Sequence, residues 1–374
     1  MSTPFTKLVT NLPATTPFVG PESLERQQGK KFLARIGANE SAFGISPKAL
    51  TAMSDALQQS SWYADPENFD LRQALANKHG VHMDEICVDA GIDSLLGLTV
   101  RMLVEPGQTV VTSLGAYPTL NYHVAGFGAE LQTVPYKGFH EDPAALVKAA
   151  EQHTAKLVYL SNPDNPMGTW HSAETLSDMI EAIPEHCVFA LDEAYIEFAD
   201  TPIAPPIDTS KANIIRYRTF SKAYGMAGQR IGYAIAHKDI ITGFNKIRNH
   251  FGINRIAQQG ALASLDDGDF LPKIRKSVSL ARERVAEFVE KHGFAAEPSS
   301  TNFVAVDVGS ADAAKQMLAE LNERQVFMRM PGVEPLNRCI RVGLGTDHEF
   351  EIFCQAFSEI ISQGNSLARQ TLKA

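Results

Sequence analysis

Short apolar segments alternate with helix-like segments through the middle of the chain, and this alternation limits the folds open to it. Helix-like stretches such as Ser94–Val104 and Ala173–Ile183 lie between the apolar segments. Strands joined by helices form βαβ crossovers, so the pattern predicts an α/β fold with a mainly parallel sheet. The apolar segments are nearly continuous in hydrophobicity, as strands buried on both faces are. They are Ile86–Val88, Thr109–Thr112, Lys156–Leu160, Cys187–Leu191, Ile214–Tyr217 and Ile231–Ile235.

The pattern changes after about residue 245, where a second and smaller unit is expected. The apolar residues of Pro272–His292 are spaced by threes and fours, which predicts a long amphipathic helix. Strands are expected at Phe303–Val306 and Cys339–Val342, so this unit is predicted to be α+β. The first 30 residues are rich in proline and threonine and are expected to form an irregular arm. A length of 374 residues is sufficient for two or three domains.

The charge balance and the cysteines exclude several classes of protein. The chain has 34 Lys and Arg against 43 Asp and Glu, a net charge of -9, which argues against nucleic-acid or anionic membrane partners. No apolar run is long enough for a membrane helix, and no signal-peptide pattern is present, so a cytoplasmic protein is expected. No metal site and no disulfide framework are expected, because the four cysteines are scattered without a C-x-x-C pair. They are Cys87, Cys187, Cys339 and Cys354.

The most informative stretch is Thr219–Arg230, in which Lys222 lies between a predicted strand and a loop with two glycines. Lysine amines form Schiff bases with carbonyl cofactors. The hydroxyl groups of Thr219 and Ser221 and the guanidinium of Arg230 are suited to holding a phosphate. Pyridoxal phosphate requires a lysine that can bond to its aldehyde. It also requires ligands for its phosphate, which here lie on both sides of the lysine in the sequence. An isolated lysine in a turn would have no such neighbours.

Three further elements follow predicted strands, where sites in open α/β sheets lie. Asp192 ends one strand and could keep a pyridinium nitrogen protonated, although an aspartate here could also be a helix N-cap. Ser161–Thr169 is a rigid loop with two prolines, whose Asn165 amide could contact a ring oxygen and a carboxylate. Asp89–Asp93 runs from a strand through Gly91 into a helix, so its free N–H groups could bind an anion.

Together these motifs resemble the fold type I pyridoxal-phosphate-dependent aminotransferases of class I/II, and the chain is most similar to the histidinol-phosphate aminotransferase group. The resemblance covers nearly the whole chain, and the order and spacing of its motifs make chance very improbable. It implies a three-layer αβα large domain with a mainly parallel sheet, plus a smaller discontinuous α+β domain. The motifs are Asn39–Gly44, Tyr63–Pro66, Ser161–Gly168, Asp192–Tyr195, Thr219–Arg230 and Arg341–Thr346.

The resemblance assigns roles to individual residues. Lys222, Asp192 and Tyr195 are implied to be catalytic, as the Schiff-base lysine, the partner of the pyridine nitrogen and a contact of the ring oxygen. A tyrosine at the position of Tyr63 is implied to reach the cofactor of the neighbouring subunit, which predicts a homodimer with shared active sites. The remaining cofactor contacts implied are Gly91, Ile92, Tyr117, Asn165, Thr219, Ser221 and Arg230. The substrate contacts implied are Phe18, Asn39, Asn165, Arg329 and Arg341.

The chain departs from the family pattern at three positions. Ile92 replaces a hydroxyl residue, so one phosphate contact would come from the backbone alone. Met167 replaces the threonine of the usual Asn-Pro-Thr-Gly sequence. Phe18 replaces a tyrosine near the distal substrate phosphate, which weakens the case for histidinol phosphate itself. The cofactor assignment does not depend on these positions.

The resemblance implies a ping-pong transfer of an amino group between an amino donor and a 2-oxo acid. The donor would be an L-amino acid or an amino-alcohol phosphate, histidinol-phosphate-like or aromatic. Another fold type I reaction (C–S lyase, decarboxylase or racemase) and a non-catalytic cofactor-binding regulator remain as alternatives. The motifs predict a large cofactor domain over residues 59–249, and a second domain formed by 31–58 with 250–374.

Overall fold

The computed structural model describes residues 3–14 and 18–363, and its largest element is a seven-stranded sheet. In sequence order the strands of the described residues are β1 (Ala34–Arg35), β2 (Ile86–Asp89), β3 (Thr109–Ser113), β4 (Glu130–Val134), β5 (Leu157–Ser161), β6 (Val188–Asp192), β7 (Ile214–Thr219), β8 (Gly232–Ala236), β9 (Ala295–Ala296), β10 (Phe303–Asp307), β11 (Val326–Phe327) and β12 (Cys339–Gly343). The order of the seven-stranded sheet is β2-β8-β7-β6-β5-β3-β4, and β8 alone runs antiparallel to its neighbours. A three-stranded antiparallel sheet has the order β12-β10-β9.

Helices cover both faces of the large sheet. Adjacent residues of β5 point to opposite faces: Tyr159 packs with the helix that contains Leu95, and Val158 packs with the helices that contain Leu146 and Leu176. The predicted three-layer αβα arrangement is thus observed. The α-helices of the described residues are α1 (Lys7–Asn11), α2 (Pro21–Gln28), α3 (Pro47–Leu57), α4 (Phe69–His79), α5 (Ile92–Leu103), α6 (Thr119–Gly126), α7 (Pro143–Gln152), α8 (Ala173–Ala182), α9 (Lys238–Ile247), α10 (Arg255–Leu265), α11 (Phe270–Lys291), α12 (Ala311–Glu323) and α13 (Asp347–Gln363). None of them is long and apolar enough to cross a membrane.

The C-terminal third forms a second hydrophobic core around the three-stranded sheet. Val278 of α11, Val304 of β10, Ile340 of β12 and Phe357 of α13 are all buried in it. The predicted long helix and both predicted strands of this region are present, with ends that differ by one or two residues.

An N-terminal segment joins this second unit. Strand β1 pairs in parallel with β11, with Ala34 opposite Val326, and Gly343 donates its N–H to the carbonyl of Ile36. We retain the predicted division into a large domain and a discontinuous small domain as a proposal, supported by this pairing. The predicted arm and the end of the predicted small domain lie partly outside the described residues.

The prediction that the first 30 residues are irregular is wrong for the part that the structure describes, since α1 and α2 lie there. Thr6 caps α1 by accepting a hydrogen bond from the N–H of Val9, and Pro21 opens α2. Proline is tolerated at the first position of a helix because the N–H that it lacks would have no partner there. The edge strand β4 was also not predicted, because it is only partly buried and lacks a continuous apolar run.

The carboxyl ends of three central strands lie side by side. Ser161, Asp192 and Thr219 are the last residues of β5, β6 and β7, and Ser161 is directly opposite Asp192 in the register. Sites in open α/β sheets form at this edge, so the fold brings the separate sequence motifs together here.

Candidate active site

A cavity of about 450 Å³ lies at this edge of the large sheet. It brings together residues from seven separate parts of the sequence, and most of the residues with predicted roles line it. Those with predicted roles are Phe18, Ile92, Tyr117, Asn165, Asp192, Tyr195, Thr219, Ser221, Lys222 and Arg230. The others lining it are Ala38, Glu40, Asp93, Tyr159, Ser161, Ala194, Ala227 and Gly228.

Lys222 follows β7 in a short loop and points toward the N-terminal segment. Its Nζ donates a hydrogen bond of 3.2 Å to the carbonyl of Asn39. The same Nζ lies 5.4 Å from the centre of the Tyr195 ring. The Asn39 Nδ2 group in turn donates to the Tyr195 hydroxyl at 2.9 Å. Three residues that the sequence places far apart therefore form one contact group.

Asp192 is almost fully buried at the end of β6. It accepts hydrogen bonds from the Tyr159 hydroxyl at 2.8 Å and from the N–H of Ala194 at 2.9 Å. Burial raises the pKa of Asp192 to about 6, because the charged carboxylate is poorly solvated there. A cationic nitrogen placed against this carboxylate would be favoured for the same reason. The role of Tyr159 was missed, although a tyrosine inside an apolar strand, two residues before a polar loop, was the available signal.

A cradle of polar groups lies where α5 begins. Gly91 has a φ of +82°, and a Cβ added to it would lie 2.9 Å from a terminal nitrogen of Arg230, so a side chain would fill the space. Arg230 donates to the Ser221 hydroxyl at 3.3 Å and to the Asp93 carboxylate at 3.4 Å. The Thr219 hydroxyl accepts from the N–H of Ser221 at 3.0 Å. Free N–H groups at a helix start, hydroxyls and a guanidinium fit a phosphate group.

Asp93 is a functional candidate that the sequence interpretation did not select. Its carboxylate accepts from the Tyr117 hydroxyl at 3.0 Å as well as from Arg230. The acid therefore holds the Tyr117 ring and the Arg230 guanidinium in one arrangement. Its position two residues after Gly91, in the turn between β2 and α5, was a signal, but helix starts commonly carry aspartate for stability alone.

Arg341 of β12 contacts Asn165. It donates to the Asn165 side-chain oxygen at 2.7 Å and to the carbonyl of Gly37 at 3.0 Å. Its buried Nε has no hydrogen-bond partner among the described residues. Burial lowers the pKa of Arg341 to about 10, so an anion beside this guanidinium would be stabilised.

Phe18, Tyr117 and Arg329 form an aromatic and cationic wall at the mouth of the cavity. The rings of Phe18 and Tyr117 are stacked, with centres 6.3 Å apart. The Arg329 guanidinium lies 5.9 Å from the centre of the Phe18 ring and donates to the carbonyl of Val19 at 2.8 Å. The backbones of Arg329 and Arg341 form a β-bridge, so the two arginines are held next to each other.

Five predicted site residues do not line the cavity. Four of them, Asn39, Gly91, Arg329 and Arg341, lie against residues that do, whereas Tyr63 has no such contact within its own chain among the described residues. Its side chain is 79% exposed, and its ring packs on Phe251 at 4.8 Å. Trp62 beside it is 68% exposed. The prediction that Tyr63 serves a neighbouring subunit stays a prediction.

The Asn165 loop rests on a buried pair of carboxyl groups that motif reasoning did not find. Glu141 accepts from the hydroxyls of Ser113 and Ser161 at 2.6 and 3.1 Å, and Asp164 accepts from the Tyr136 hydroxyl at 2.9 Å. Burial raises the pKa of both acids, and they have no cationic partner among the described residues. A contrast is Glu193, whose pKa is held low despite burial by Arg216 and Arg218.

Comparisons with known proteins identify the family of the chain. Residues 33–357 match the aminotransferase class I and II family. The chain is 33% identical to histidinol-phosphate aminotransferase 1 of Nitrosococcus oceani, over 91% of this chain and 92% of that protein. It is 32% identical to histidinol-phosphate aminotransferase 2 of Pseudomonas fluorescens Pf-5, over 88% of this chain and 90% of that protein.

A solved structure is still more similar. The histidinol-phosphate aminotransferase of Sinorhizobium meliloti, solved in complex with pyridoxal-5'-phosphate, is 48% identical with a TM-score of 0.94. The match covers 97% of this chain and 99% of that one. These relationships confirm the α/β fold class, the aminotransferase activity and the dependence on pyridoxal phosphate that the sequence predicted. The chain is a member of the aminotransferase class I and II family.

Proposed function

We propose that this aminotransferase moves an amino group from an L-amino acid or an amino-alcohol phosphate to a 2-oxo acid by a ping-pong mechanism. The position of Arg341 supports this proposal. Arg341 is bonded to Asn165, which lines the same cavity as Lys222 and Asp192. A substrate anion at Arg341 would therefore lie beside the lysine and the buried acid.

The residues that would hold pyridoxal phosphate surround the cavity. Thr219, Ser221 and Arg230, with the N–H group of Ile92, would hold its phosphate, and Tyr117 would lie against its ring. The predicted contact from the N–H of Gly91 is not available, because that group donates to the carbonyl of Asp89 at 2.7 Å. Asn165 and Tyr195 would contact the ring oxygen. The Gly91 cradle, which a Cβ would fill, supports this assignment. When bound, the cofactor supplies an aldehyde that joins to an amine and a ring that withdraws electrons.

The chain's own residues would then move and hold protons. The Lys222 amine would take the proton from the α-carbon of the donor and return one to the carbon that receives the amino group. Asp192 would hold a proton on the ring nitrogen by hydrogen bonding to it as a carboxylate. The Tyr195 hydroxyl accepts from Asn39, so its own proton is free to be donated into the cavity. Arg341 would fix the orientation of the donor through its anionic group.

The mouth of the cavity supports a donor with a flat side chain or a distal anion. Phe18 and Tyr117 present ring faces, and Arg329 adds a positive charge beside them. The phenyl ring of Phe18 offers no hydroxyl to a phosphate. Histidinol phosphate and aromatic amino acids are therefore the two donor classes to compare.

A half-reaction screen tests the proposal. The enzyme loaded with pyridoxal phosphate is mixed with histidinol phosphate or an aromatic amino acid, and conversion to pyridoxamine phosphate is followed by absorbance. We expect conversion with at least one donor and its reversal by a 2-oxo acid. Release of ammonia and pyruvate from a cysteine conjugate, with no conversion by any amino donor, would contradict amino transfer.

We also propose that the protein is a homodimer whose active sites each include Tyr63 from the partner. The proposal is supported by the exposed aromatic surface formed by Trp62, Tyr63 and Phe251, which are 68%, 79% and 54% exposed. Exposed patches of large apolar side chains commonly mark interfaces. We further propose a cytoplasmic location, supported by the absence of disulfide bonds among the four cysteines.

Subunit mixing tests the shared site. Tyr63→Ala and Lys222→Ala subunits are each expected to be weakly active or inactive. When the two are unfolded and refolded together, a mixed dimer has one site with both Lys222 and Tyr63, so activity should rise above the sum of the separate preparations. An unchanged sum would show that Tyr63 does not serve the partner.

A further inference from the structure

The segment from Ile36 to Glu40 crosses the active site, and its carbonyl groups are held from the C-terminal unit. Gly343 donates its N–H to the carbonyl of Ile36 at 2.9 Å, and Arg341 donates to that of Gly37 at 3.0 Å. The side-chain Nδ2 of Asn302 donates to the carbonyl of Asn39 at 3.2 Å and to that of Glu40 at 3.1 Å. The segment therefore depends on residues more than two hundred and sixty positions away for its conformation.

Asn39 touches two residues with proposed chemical roles at once. Its carbonyl accepts from Lys222 Nζ at 3.2 Å, and its side-chain amide donates to the Tyr195 hydroxyl at 2.9 Å. Asn39 has a φ of +56°, a left-handed conformation that few residues with a side chain adopt and that asparagine adopts more readily than most. Surrounding contacts must hold such a residue in place.

Asn302 is placed to supply that hold. It lies directly before β10, is 2% exposed, and its own carbonyl accepts from the N–H of Leu344 at 2.9 Å. Its Nδ2 donates to two consecutive carbonyls, those of Asn39 and Glu40, which follow the left-handed φ angle of Asn39. In the described part of the chain its side-chain oxygen has no hydrogen-bond partner, so the amide makes no second set of side-chain hydrogen bonds.

We propose that Asn302 is a positioning residue for the amino-transfer reaction. Through the carbonyls of Asn39 and Glu40 it keeps Asn39 in the left-handed conformation, and Asn39 then sets the positions of the Lys222 amine and the Tyr195 hydroxyl. The proposal rests on the catalytic roles proposed above for Lys222 and Tyr195. Asn302 itself does not line the cavity.

The test compares Asn302→Ala and Asn302→Asp with Asn213→Ala. Asn213 is a matched control because its Nδ2 also donates to a backbone carbonyl, that of Cys187 at 3.3 Å, and neither residue lines the cavity. Asn302→Asp keeps the size of the side chain but removes its N–H donors. The holoenzyme is assayed for kcat and KM, and the absorbance of its bound cofactor is titrated with pH. Melting of the cofactor-free protein reports on folding.

We expect kcat to fall about 10- to 100-fold in both Asn302 variants, with a much smaller change in KM, since comparable supporting residues have effects of this size. The pH midpoint of the cofactor absorbance should also shift, because the Lys222 amine would lose its fixed acceptor. Asn213→Ala should change neither kcat nor the pH midpoint of the cofactor absorbance. Asn302→Ser, which keeps a donor of shorter reach, is the second variant if the other two fail to fold, and should show the same shift in smaller measure.

Two results would overturn the inference: an absorbance midpoint equal to that of Asn213→Ala, or a loss of activity explained entirely by lower melting temperature. Failure of the proposed function is distinguishable from either. In that case the wild-type enzyme would convert no donor, whereas here the wild type is active and only the variants behave unexpectedly. The absorbance titration uses no substrate and so reports on Lys222 even if the donor is misassigned.

Discussion

The two sides of the active-site cavity are built in different ways. The side that would hold the cofactor consists of strand ends and loops of one sheet: Ser161, Asp192 and Thr219 end neighbouring strands, and Lys222 follows three residues after the last of them. The side that would hold the substrate consists of residues from distant parts of the chain. There Arg341 of β12 bonds to Asn165 and to the N-terminal Gly37.

This difference separates two kinds of property. Groups at the ends of adjacent strands keep their spacing as long as the sheet is intact, so cofactor binding depends on local structure. The substrate side depends on contacts between segments that are brought together only by the complete fold. Changes on the first side should affect cofactor binding and all donors alike, and changes on the second side should affect donors selectively.

The largest effect is expected for Lys222→Ala on the cofactor side. Loss of the amine that is proposed to move the proton should reduce kcat/KM by about 10²- to 10⁴-fold. The absorbance band of the covalently bound cofactor should disappear, as followed by spectrophotometry. Lys238→Ala, at the exposed start of α9, is the control and should change neither kcat/KM nor the absorbance band. A variant that kept the band and the rate of the half-reaction would remove Lys222 from the mechanism.

Arg341→Gln should act mainly on the substrate side. Losing a charged hydrogen bond of about 1.5–3 kcal/mol should raise the KM for the donor about 10- to 100-fold. Cofactor content and its absorbance should be unchanged, as measured on the purified enzyme. Arg338→Gln is the matched control, since Arg338 lies next to the same strand but pairs with Asp307 at the surface. Equal losses of cofactor and substrate binding in Arg341→Gln would refute the division of the cavity into two sides.

Glu141→Gln tests the support beneath Asn165, where the two sides meet. Burial raises the pKa of Glu141, so the folded protein keeps a proton that the unfolded chain loses at the ordinary carboxylate pKa. The free energy of unfolding should therefore fall as pH rises between the ordinary and the raised pKa, by an amount on the order of 2 kcal/mol. Glutamine carries no titratable proton, so the variant should show a smaller decrease.

Urea denaturation from pH 5 to pH 9 measures this dependence. Glu130→Gln is the control, because Glu130 is an exposed acid on the edge strand β4, and its slope with pH should equal that of the wild type. If Glu141→Gln had the same slope as well, the proton would not reside on Glu141.

The smallest effect is expected for Phe18→Tyr at the mouth of the cavity. An added hydroxyl near Arg329 could make one neutral or charge-assisted hydrogen bond to a distal phosphate, worth roughly 1 kcal/mol. The ratio of the half-reaction rate with histidinol phosphate to that with the free amino acid phenylalanine should rise up to about 5-fold, as measured by competition. Phe5→Tyr, in the same N-terminal part but outside the cavity, should leave the ratio unchanged. A fall in the ratio would place the phosphate elsewhere.

Much of the fold was predictable because its central strands are buried on both faces. The six predicted strands of the large sheet are present, with ends that differ by one or two residues. Strand β4 was missed since one of its faces is partly exposed, and β1, β9 and β11 have two residues each, too few for a pattern. The helices of the N-terminal part are marked by one residue each, the cap Thr6 for α1 and the first residue Pro21 for α2, and such signals are weak.

The cavity was predictable to the extent that its residues lie in short motifs. Lys222, Asp192 and Asn165 each follow a strand, and the structure brings all three to one cavity. Asp93, Tyr159 and Asn302 were not selected, because their contacts are with residues that sequence spacing does not relate to them. Tyr159 meets Asp192 through strand register, and Asn302 meets Asn39 through the docking of the second unit. Pairings of this kind are set by tertiary structure.

The pairing of β1 with β11 also imposes an order on biosynthesis. Ala34 leaves the ribosome long before Val326, its partner, has been made. At about 5–20 residues per second, the segment that later crosses the active site waits for tens of seconds without its strand partner, while the large sheet can already form. Lys222 therefore enters a folded sheet before the carbonyl of Asn39 is held against it. A nascent chain arrested before residue 326 would carry the cofactor-side groups and lack the contacts that close the substrate side.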